Sequence, residues 1–275
     1  MWNVYTFKRQ TVGDLAEKIG LSPRQVRRKL KTVETPSLSS LNVSTPVVLV
    51  MDTTYFDVYG VMVFRCWKRK RNLLWYFVQE ETNADYLAGI HVLEEQYSYT
   101  IAAVVCDGKK WLCSQVKSQG YPVQHCQFHM VKTVTRYLTK HPKLLAAIEL
   151  RHISLTLKNA TRASFTKALE DWYERWNVFL KERTIDPVTK HWQYTHRRIR
   201  GAYASLIHTM PFLFTFEDFP DIGIPKTTNT IDGTFSHLKQ KIHVHRGLNT
   251  DTQKKMVTTL LAAPTMRGSA TKNVH

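Results

Sequence analysis

The sequence predicts an α/β protein built on a mixed sheet of five strands with flanking helices, preceded by a small helical unit. Two observations predict this fold. Segments of strand and helix character follow one another in the order β-β-β-α-β-α-β from residue 47 to about residue 130. Beyond that point the spacing of apolar residues is mostly helical. Strands that alternate with crossover helices are typical of a mixed sheet.

The composition indicates a soluble, strongly basic protein. The 275 residues suffice for one large domain, or for one domain with a small appendage. The formal charge is +17, from 39 basic and 22 acidic residues, and such an excess attracts polyanions, of which nucleic acid is the commonest. Charge alone leaves a ribosomal or membrane-surface partner open. No apolar run is long enough to predict a membrane span, and the first ten residues lack the apolar centre of a secretory signal.

The cysteines predict a reducing compartment. They form no CxxC pair and lack the spacing of a secreted disulfide scaffold: Cys66, Cys106, Cys113 and Cys126. Reduced thiols in the cytoplasm are therefore expected.

Residues 11–31 contain two helix starts in close succession, and Gly20 ends the first helix. Each start has the spacing of a capping box: Thr11 with Asp14, and Ser22 with Gln25. Pro23 suits the first position of the second helix. Five residues supply the predicted apolar kernel: Leu15, Ala16, Ile19, Leu21 and Val26.

This pair of helices resembles a helix-turn-helix, whose small, glycine and aliphatic positions are matched by Ala16, Gly20 and Val26. The second helix of that motif enters the major groove of DNA, so four of its residues are predicted DNA contacts: Arg24, Gln25, Arg27 and Arg28. An ordinary helical hairpin with a solvated basic face is the alternative. We predict a helix-turn-helix domain at 1–34 and a linker at 35–46, which is rich in Ser, Thr and Pro.

The strand and helix signals then follow in order. The apolar run 47–51 predicts a strand buried on both faces, and the basic sequence KRKRN predicts a solvated hairpin turn after the second strand. The predicted elements are strands at 47–56, 59–67 and 73–79, a helix at 82–97 capped by Asn83, a strand at 101–108, a helix at 109–120, and a short strand within 121–130.

Helical spacing dominates from residue 130 to about 218. Large apolar residues recur on one face of 168–182, and we expect this aromatic face to belong to a core rather than to stack on bases. A last helix is predicted at 227–242, with a buried stripe formed by Ile231, Phe235, Leu238 and Ile242. An adjacent polar face carries Asp232, Ser236, Lys239 and His243.

Two acidic residues each follow an apolar run of strand character. Asp52 follows the apolar strand VVLVM, and Asp107 follows IAAVVC. If these strands are neighbours, their ends bring two carboxylates together, which is tolerated chiefly when a cation lies between them. Oxygen ligands of this kind suit Mg²⁺ or Mn²⁺. Helix capping is the alternative for Asp107, which precedes a predicted helix, but it is less persuasive for Asp52, after which the strand continues.

Four segments together resemble a known family. They are MDTTYF around Asp52, VVCDGKKWL around Asp107, HCQFH with its Cys-x2-His step, and TTNTIDGTFSHLKQK followed by HRGL around Asp232. With the order of strands and helices, they resemble the RNase H-like DDE transposases, and more narrowly the bacterial insertion-sequence transposases of the Mutator-like superfamily. The resemblance covers residues 47–250.

The resemblance implies an RNase H-like catalytic domain in two parts, 47–129 and 226–262, with an all-helical insertion at 130–225 and a flexible tail at 263–275. It implies a transposase that cleaves DNA at the ends of an insertion sequence and transfers the strands. Mg²⁺ or Mn²⁺ would be held by the catalytic residues Asp52, Asp107 and Asp232, with Asp52 as the bridging ligand. The expected partners are double-stranded DNA (terminal repeats and target) and further copies of the chain, in the bacterial cytoplasm at the nucleoid.

The chain departs from the family at Asp232, where the closing motif usually has Glu. Glu217 and Asp218 are the nearest other acids. Two alternatives therefore stay open beside the transposase: an inactive relative that only binds DNA, and a nuclease or resolvase with the same fold.

The remaining motif residues are Cys126 and His129, which are two ligands of the kinds that zinc uses. The nearest second pair is His243 with His245, and we favour instead a structural role in which Cys126 packs in the core and His129 bonds to the backbone or to DNA. The resemblance also allows His129 to reach the active site or a substrate phosphate. Further DNA contacts, with a solvated basic face as their alternative, are predicted at Arg197, Arg198, Lys239 and Arg246.

Overall fold

The computed structural model describes residues 1–8, 10–36, 45–107, 111–245 and 247–263. These residues form two compact units. The first contains the described parts of 1–46, 51–100 and 229 onward, and the second contains 47–50 and the described parts of 101–228. The predicted linker and tail lie largely outside the described residues, and the predicted domain boundaries stay predictions.

Five strands form one mixed sheet, which confirms the predicted α/β class with flanking helices. The sheet order is β3-β2-β1-β4-β5. Strands β2 and β3 are antiparallel, whereas β4 is parallel to both β1 and β5. The strands are β1 (Val47–Phe56), β2 (Tyr59–Cys66), β3 (Arg71–Val78), β4 (Ile101–Cys106) and β5 (Val123–His125).

The first five residues of strand β1 are all apolar, and they lie in a part of the sheet that is buried on both faces. The first six residues of β1, and all eight of β2, are buried, so neither strand shows the alternation typical of a half-exposed sheet. In the second unit β1 pairs with β4, and Val50 lies opposite Val105. Buried Arg65 of β2 donates from Nη1 to Asn72 Oδ1 of β3 at 2.7 Å, which satisfies part of its guanidinium.

The chain begins with three helices: α1 (Trp2–Phe7), α2 (Val12–Ile19) and α3 (Pro23–Lys31). Both predicted capping boxes form. Gly20 ends α2 in the left-handed region, at φ 64°, where glycine is favoured because it has no Cβ. The predicted kernel is wrong at Ile19, which is 43% exposed because it lies at the last position of α2, while Leu15, Ala16 and Val26 are buried. Helix α1 was not predicted.

The capping box of α3 gives a testable stability contribution. The Ser22 hydroxyl accepts the N–H of Gln25, and the Gln25 side chain accepts the N–H of Ser22. We expect Ser22→Ala to lower the free energy of unfolding by about 1 kcal/mol, because the N–H of Gln25 at the start of the helix loses its side-chain acceptor. Urea denaturation measures this loss. The control is Ser236→Ala at an exposed position inside a helix, and an equal loss in that variant would contradict the assignment.

The first unit contains three further helices: α4 (Asn83–Glu95), α11 (Asn229–Val244) and α12 (Thr250–Ala262). Thr82, not Asn83, is the N-cap of α4, because its hydroxyl accepts the N–H of Asp85. The predicted stripe of α11 is confirmed, since its four apolar residues are all buried. Helix α12 was not predicted, and its residue Thr259 accepts a hydrogen bond from the Trp2 indole at 3.0 Å.

Helices also make up most of the second unit. They are α5 (Leu112–Ser118), α6 (Gln127–Leu138), α7 (Leu145–Thr156), α8 (Arg162–Lys181), α9 (Arg197–Leu213), α10 (Thr215–Asp218) and a 3₁₀ turn at Pro220–Ile222. Trp172 of α8 is 1% exposed and donates its indole N–H to the carbonyl of Ala146 at 3.0 Å, so the aromatic face of this helix belongs to a core, as predicted. No helix in the described ranges has the length and apolar character needed to cross a membrane.

The prediction of an all-helical segment from 130 to 225 is wrong at one place. A two-stranded antiparallel sheet, β6 (Arg183–Ile185) with β7 (Trp192–Tyr194), lies between α8 and α9. Its turn is held by Asp186, whose carboxylate accepts the N–H groups of Val188 and Thr189, and the Arg183 guanidinium stacks on the Trp192 ring at 4.0 Å. Because β6 is fully exposed and β7 is only partly buried, no apolar alternation reveals this sheet in the sequence.

Candidate metal centre

Asp52 is a buried acid in the sixth position of β1. The residue is only 6% exposed, and its Oδ1 accepts the backbone N–H of Thr53 at 2.8 Å. The strand places it there because the apolar residues before it fix the strand in the sheet core. A buried carboxylate loses most of its hydration, so it requires compensating partners.

Asp232 supplies a second carboxylate in the same unit. It lies in the first turn of α11, and one of its oxygens lies within 4.8 Å of an oxygen of Asp52. Its Oδ2 is buried and has no hydrogen-bond partner among the described residues. Two carboxylates this close repel each other unless a cation or a shared proton lies between them. This pair therefore fits a hard divalent cation.

Asp107 comes directly after β4. Asp52 and Asp107 lie two positions beyond Val50 and Val105, which are partners in the parallel ladder. One oxygen of Asp107 is buried without a hydrogen-bond partner in the described part of the chain. The capping alternative is wrong, because α5 begins at Leu112 and its N-cap residue is Trp111.

A hydrogen-bonded chain next to Asp52 was not found by sequence reasoning. The hydroxyls of Thr53 and Tyr86 lie 2.9 Å apart, and the Tyr86 hydroxyl donates to Glu81 Oε1 at 2.9 Å. The N–H of Glu81 donates in turn to the hydroxyl of Tyr55. These residues come from β1, α4 and the segment between β3 and α4, so no local pattern links them. The chain holds the backbone that positions Asp52.

Cys126 and His129 lie in the second unit and meet at Thr228. Both the N–H and the hydroxyl of Thr228 donate to Cys126 Sγ at 3.4 Å, and Thr228 Oγ1 lies 3.5 Å from His129 Nδ1. Burial raises the pKa of the Cys126 thiol, but hydrogen bonds from His129 and Thr228 outweigh it and leave this pKa below its usual value. Nearby, burial lowers the pKa of His125 to about 4, which keeps that ring neutral.

The zinc alternative receives no support from this geometry. Cys126 is fully buried, as the structural interpretation predicted. No cluster of three or more zinc-type ligands among the described residues includes it. A zinc site needs about four such ligands.

The other two acids near the closing motif have structural roles. Glu217 accepts the backbone N–H of Arg162 at 3.0 Å, at the start of α8. Asp218 forms an ion pair with the Arg162 guanidinium at 2.6 Å, and this hydrogen-bonded pair lowers the pKa of Asp218. Arg162 therefore accounts for both acids, and neither joins the carboxylate pair in the first unit.

The predicted DNA contacts of α3 share one exposed face. Val26 and Leu30 are buried on the opposite face of the helix. Gln25 also serves the capping box, where its side-chain oxygen accepts the Ser22 N–H at 2.9 Å. The exposed residues are Arg24, Gln25, Arg27 and Arg28. The second-helix surface is thus basic and accessible.

The other residues that were predicted to contact DNA differ in whether their side chains are already bonded within the protein. Arg198 donates to the carbonyls of Arg136 and Tyr137, so it caps the end of α6. Arg197 donates to Gln193 at 2.9 Å. Lys239 is exposed on α11, and Arg246 lies outside the described residues. Arg198 thus has a structural role that the sequence did not reveal.

Comparison with known proteins adds no assignment. No family model matches the chain, and no curated protein matches it. The function has to be inferred from the residues and their geometry.

Proposed function

We propose that the protein is a metal-dependent DNA transposase of the DDE type, in which Asp52, Asp107 and Asp232 form the catalytic centre. The close carboxylates of Asp52 and Asp232 carry this proposal. The mixed sheet of β3-β2-β1-β4-β5 is compatible with the RNase H-like domain that the sequence motifs resemble. The proposal therefore joins one geometric observation to four matching sequence segments.

The donor set fits Mg²⁺ or Mn²⁺. Asp232 and Asp107 each have a buried oxygen without a hydrogen-bond partner in the described chain, which is costly unless an ion takes that place. The parallel ladder supports Asp107 as a partner of Asp52, since both acids follow paired residues at the same interval.

The chain's own residues position the reacting groups. When bound, divalent ions supply charge stabilisation and an activated oxygen nucleophile for phosphodiester chemistry. The hydrogen-bonded chain of Thr53, Tyr86 and Glu81 holds the segment of β1 that carries Asp52, and the first turn of α11 carries Asp232. Asp232 is one methylene shorter than Glu, yet one of its oxygens lies within 4.8 Å of Asp52. The shorter side chain of Asp232 therefore does not exclude catalytic activity.

The basic surface supports DNA as the substrate. A formal charge of +17 attracts a polyanion, and α3 exposes three arginines after a second helix start. The joining of two DNA ends would require at least two copies of the chain. We propose that the protein acts as a dimer or higher oligomer on its terminal repeats.

Metal-dependent cleavage of the flanking DNA tests the proposal. We expect the purified protein with Mg²⁺ or Mn²⁺ to nick labelled duplexes that contain the DNA on either side of the coding sequence, and to join the resulting ends to a target duplex. Denaturing gels measure both products, with EDTA as the control. Binding without cleavage in either metal would favour the inactive relative, and cleavage without joining would favour a nuclease or resolvase.

A further inference from the structure

Trp111 is an exposed tryptophan that follows Asp107 by four positions in the second unit. The residue is 65% exposed, and no other Trp, Tyr or Phe in the described part of the chain is more exposed. Exposure alone assigns no role, because single apolar residues are common on protein surfaces. Three further observations, on its backbone, its place in the helix and its neighbours, indicate a role for this residue.

The backbone at Trp111 is strained. Its φ is 69° and its ψ is −10°, in the left-handed region where the Cβ of an L-amino acid comes too close to a carbonyl oxygen. Five described residues other than glycine have a positive φ, and Trp111 is the one aromatic residue among them. Glycine adopts this conformation without that cost. Residues held in such conformations cluster at functional sites.

The place of Trp111 in the helix does not favour tryptophan either. It is the N-cap residue of α5, and its side chain forms no capping hydrogen bond, because an indole offers a donor and no acceptor. Ser, Thr, Asp, Asn and Gly are preferred at this position. Both the positive φ and the cap would therefore be served better by glycine, and a residue that conflicts with its local structure in this way indicates a function outside folding.

The residues on either side hold Trp111 beside the end of β4. Leu112, the next residue, is fully buried. The thiol sulfurs of Cys106 and Cys113 lie 3.6 Å apart, so the first turn of α5 packs against the last residue of β4. Because Cys106 directly precedes Asp107, the backbone of Trp111 is fixed near the strand end that Asp107 follows.

We propose that Trp111 binds an unpaired nucleobase of the substrate DNA by stacking, beside the phosphodiester at the proposed catalytic centre. The inference rests on the proposed function and makes its substrate more specific, since a base inside a duplex has to leave the stack before an indole can cover its face. The formal charge of +17 favours a polyanion as the partner over an apolar protein surface. Every base offers a π face, so this contact requires no particular sequence.

Binding of single-stranded oligonucleotides to the full chain in EDTA tests the proposal without strand cleavage. The probes are a short labelled oligothymidylate and an abasic strand of the same length, which keeps the phosphates and lacks the bases. We expect Trp111→Gly to weaken binding of the oligothymidylate about tenfold in fluorescence anisotropy, because one stacked base is lost, and to leave binding of the abasic strand unchanged. Trp192→Ala is the matched control, since Trp192 is also exposed but its ring is covered by Arg183.

Thermal unfolding separates the loss of a contact from the loss of structure. Because glycine relieves the backbone strain, Trp111→Gly should raise the Tm by about 2 °C. Weaker binding of the oligothymidylate together with an unchanged or raised Tm supports the proposal. A lowered Tm overturns it, because the tryptophan would then serve the fold.

The binding data give three further outcomes that overturn the proposal. They are no binding of the oligothymidylate by the parent protein, equal affinity in the parent and Trp111→Gly, and an equal loss either on the abasic strand or in Trp192→Ala. None of these readouts depends on cleavage. Failure of the transposase proposal and failure of the base-stacking proposal are therefore distinguishable.

Discussion

Asp52→Asn is expected to reduce metal-dependent strand cleavage by roughly a thousandfold or more while leaving DNA binding unchanged. The substitution keeps the size of the side chain and the acceptor for the Thr53 N–H, but it removes the charge that faces Asp232 within 4.8 Å. Cleavage assays with Mn²⁺ measure the loss, and gel-shift assays measure binding. Unchanged cleavage would contradict the assignment of Asp52 to the catalytic centre.

The same variant should respond differently to metal. Without divalent ions, Asp52→Asn relieves the repulsion between two carboxylates, so we expect the metal-free protein to gain about 1 kcal/mol of stability, or about 2–4 °C in Tm. Mn²⁺ should raise the Tm of the parent protein and leave that of the variant nearly unchanged, because only the parent retains the full ligand set. Thermal unfolding in EDTA and in Mn²⁺ gives both comparisons.

Variants of Asp232 distinguish the effect of the side chain's charge from the effect of its length. Asp232→Asn should lose cleavage like Asp52→Asn, whereas Asp232→Glu keeps the charge, adds one methylene and should retain cleavage. Asp251→Asn is the matched control, because Asp251 is an exposed acid in the first turn of α12. Equal cleavage by Asp232→Asn and by the control would show that Asp232 holds no catalytic metal.

Gly89→Ala is expected to destabilise the protein strongly, by about 3 kcal/mol, although alanine is the better helix former. Gly89 lies in α4 against β2, and a Cβ built there would lie 2.0 Å from Cζ of the Phe64 ring. Phe64 is fully buried, so its ring can move only by displacing other core side chains. The urea midpoint measures the loss.

Two comparisons identify the cause of this effect. Gly233→Ala is the control, since Gly233 is exposed within α11. Apart from its chain neighbours and its own helix backbone, no atom of the described residues lies within 4 Å of an added Cβ, so this variant should gain about 1 kcal/mol of stability. Phe64→Leu combined with Gly89→Ala should be less destabilised than the sum of the two single variants, because the smaller side chain makes room. Additive losses would show that the ring is not the obstacle.

The sequence predicted the sheet well because its strands are buried on both faces. Strand β1 was predicted at residues 47–56 and observed there, and β2 and β3 were predicted to within two residues at each end. A continuous apolar run is a local signal that needs no knowledge of the partner strand. The β6–β7 sheet was missed because cation–π stacking and an Asp186 turn hold it without a buried face.

The candidate site was predictable in part. Asp52 and Asp107 were predicted as site residues because each follows an apolar run of strand character. Asp232 was predicted because its motif resembles the closing motif of the family. The sequence alone does not exclude a capping role for Asp107, whereas in the structure α5 begins at Leu112 with Trp111 as its N-cap residue. The hydrogen bonds of Tyr86 with Thr53, and of Thr228 with Cys126, join residues that are far apart in the chain. The spacing of apolar residues along the sequence does not predict such contacts.

The sequence by itself determined the α/β class, the strand positions, the helix starts near residues 11 and 22, and the acids that end the strands. Each of these depends on neighbouring residues, through apolar runs and capping hydrogen bonds. Only the tertiary structure decided that Asp52 and Asp232 face each other within 4.8 Å, and that Trp111 is exposed in a left-handed conformation at the start of α5. The reason is physical: the energy of a carboxylate or an aromatic ring depends on which groups lie around it in space, and burial and repulsion arise only after the chain has folded.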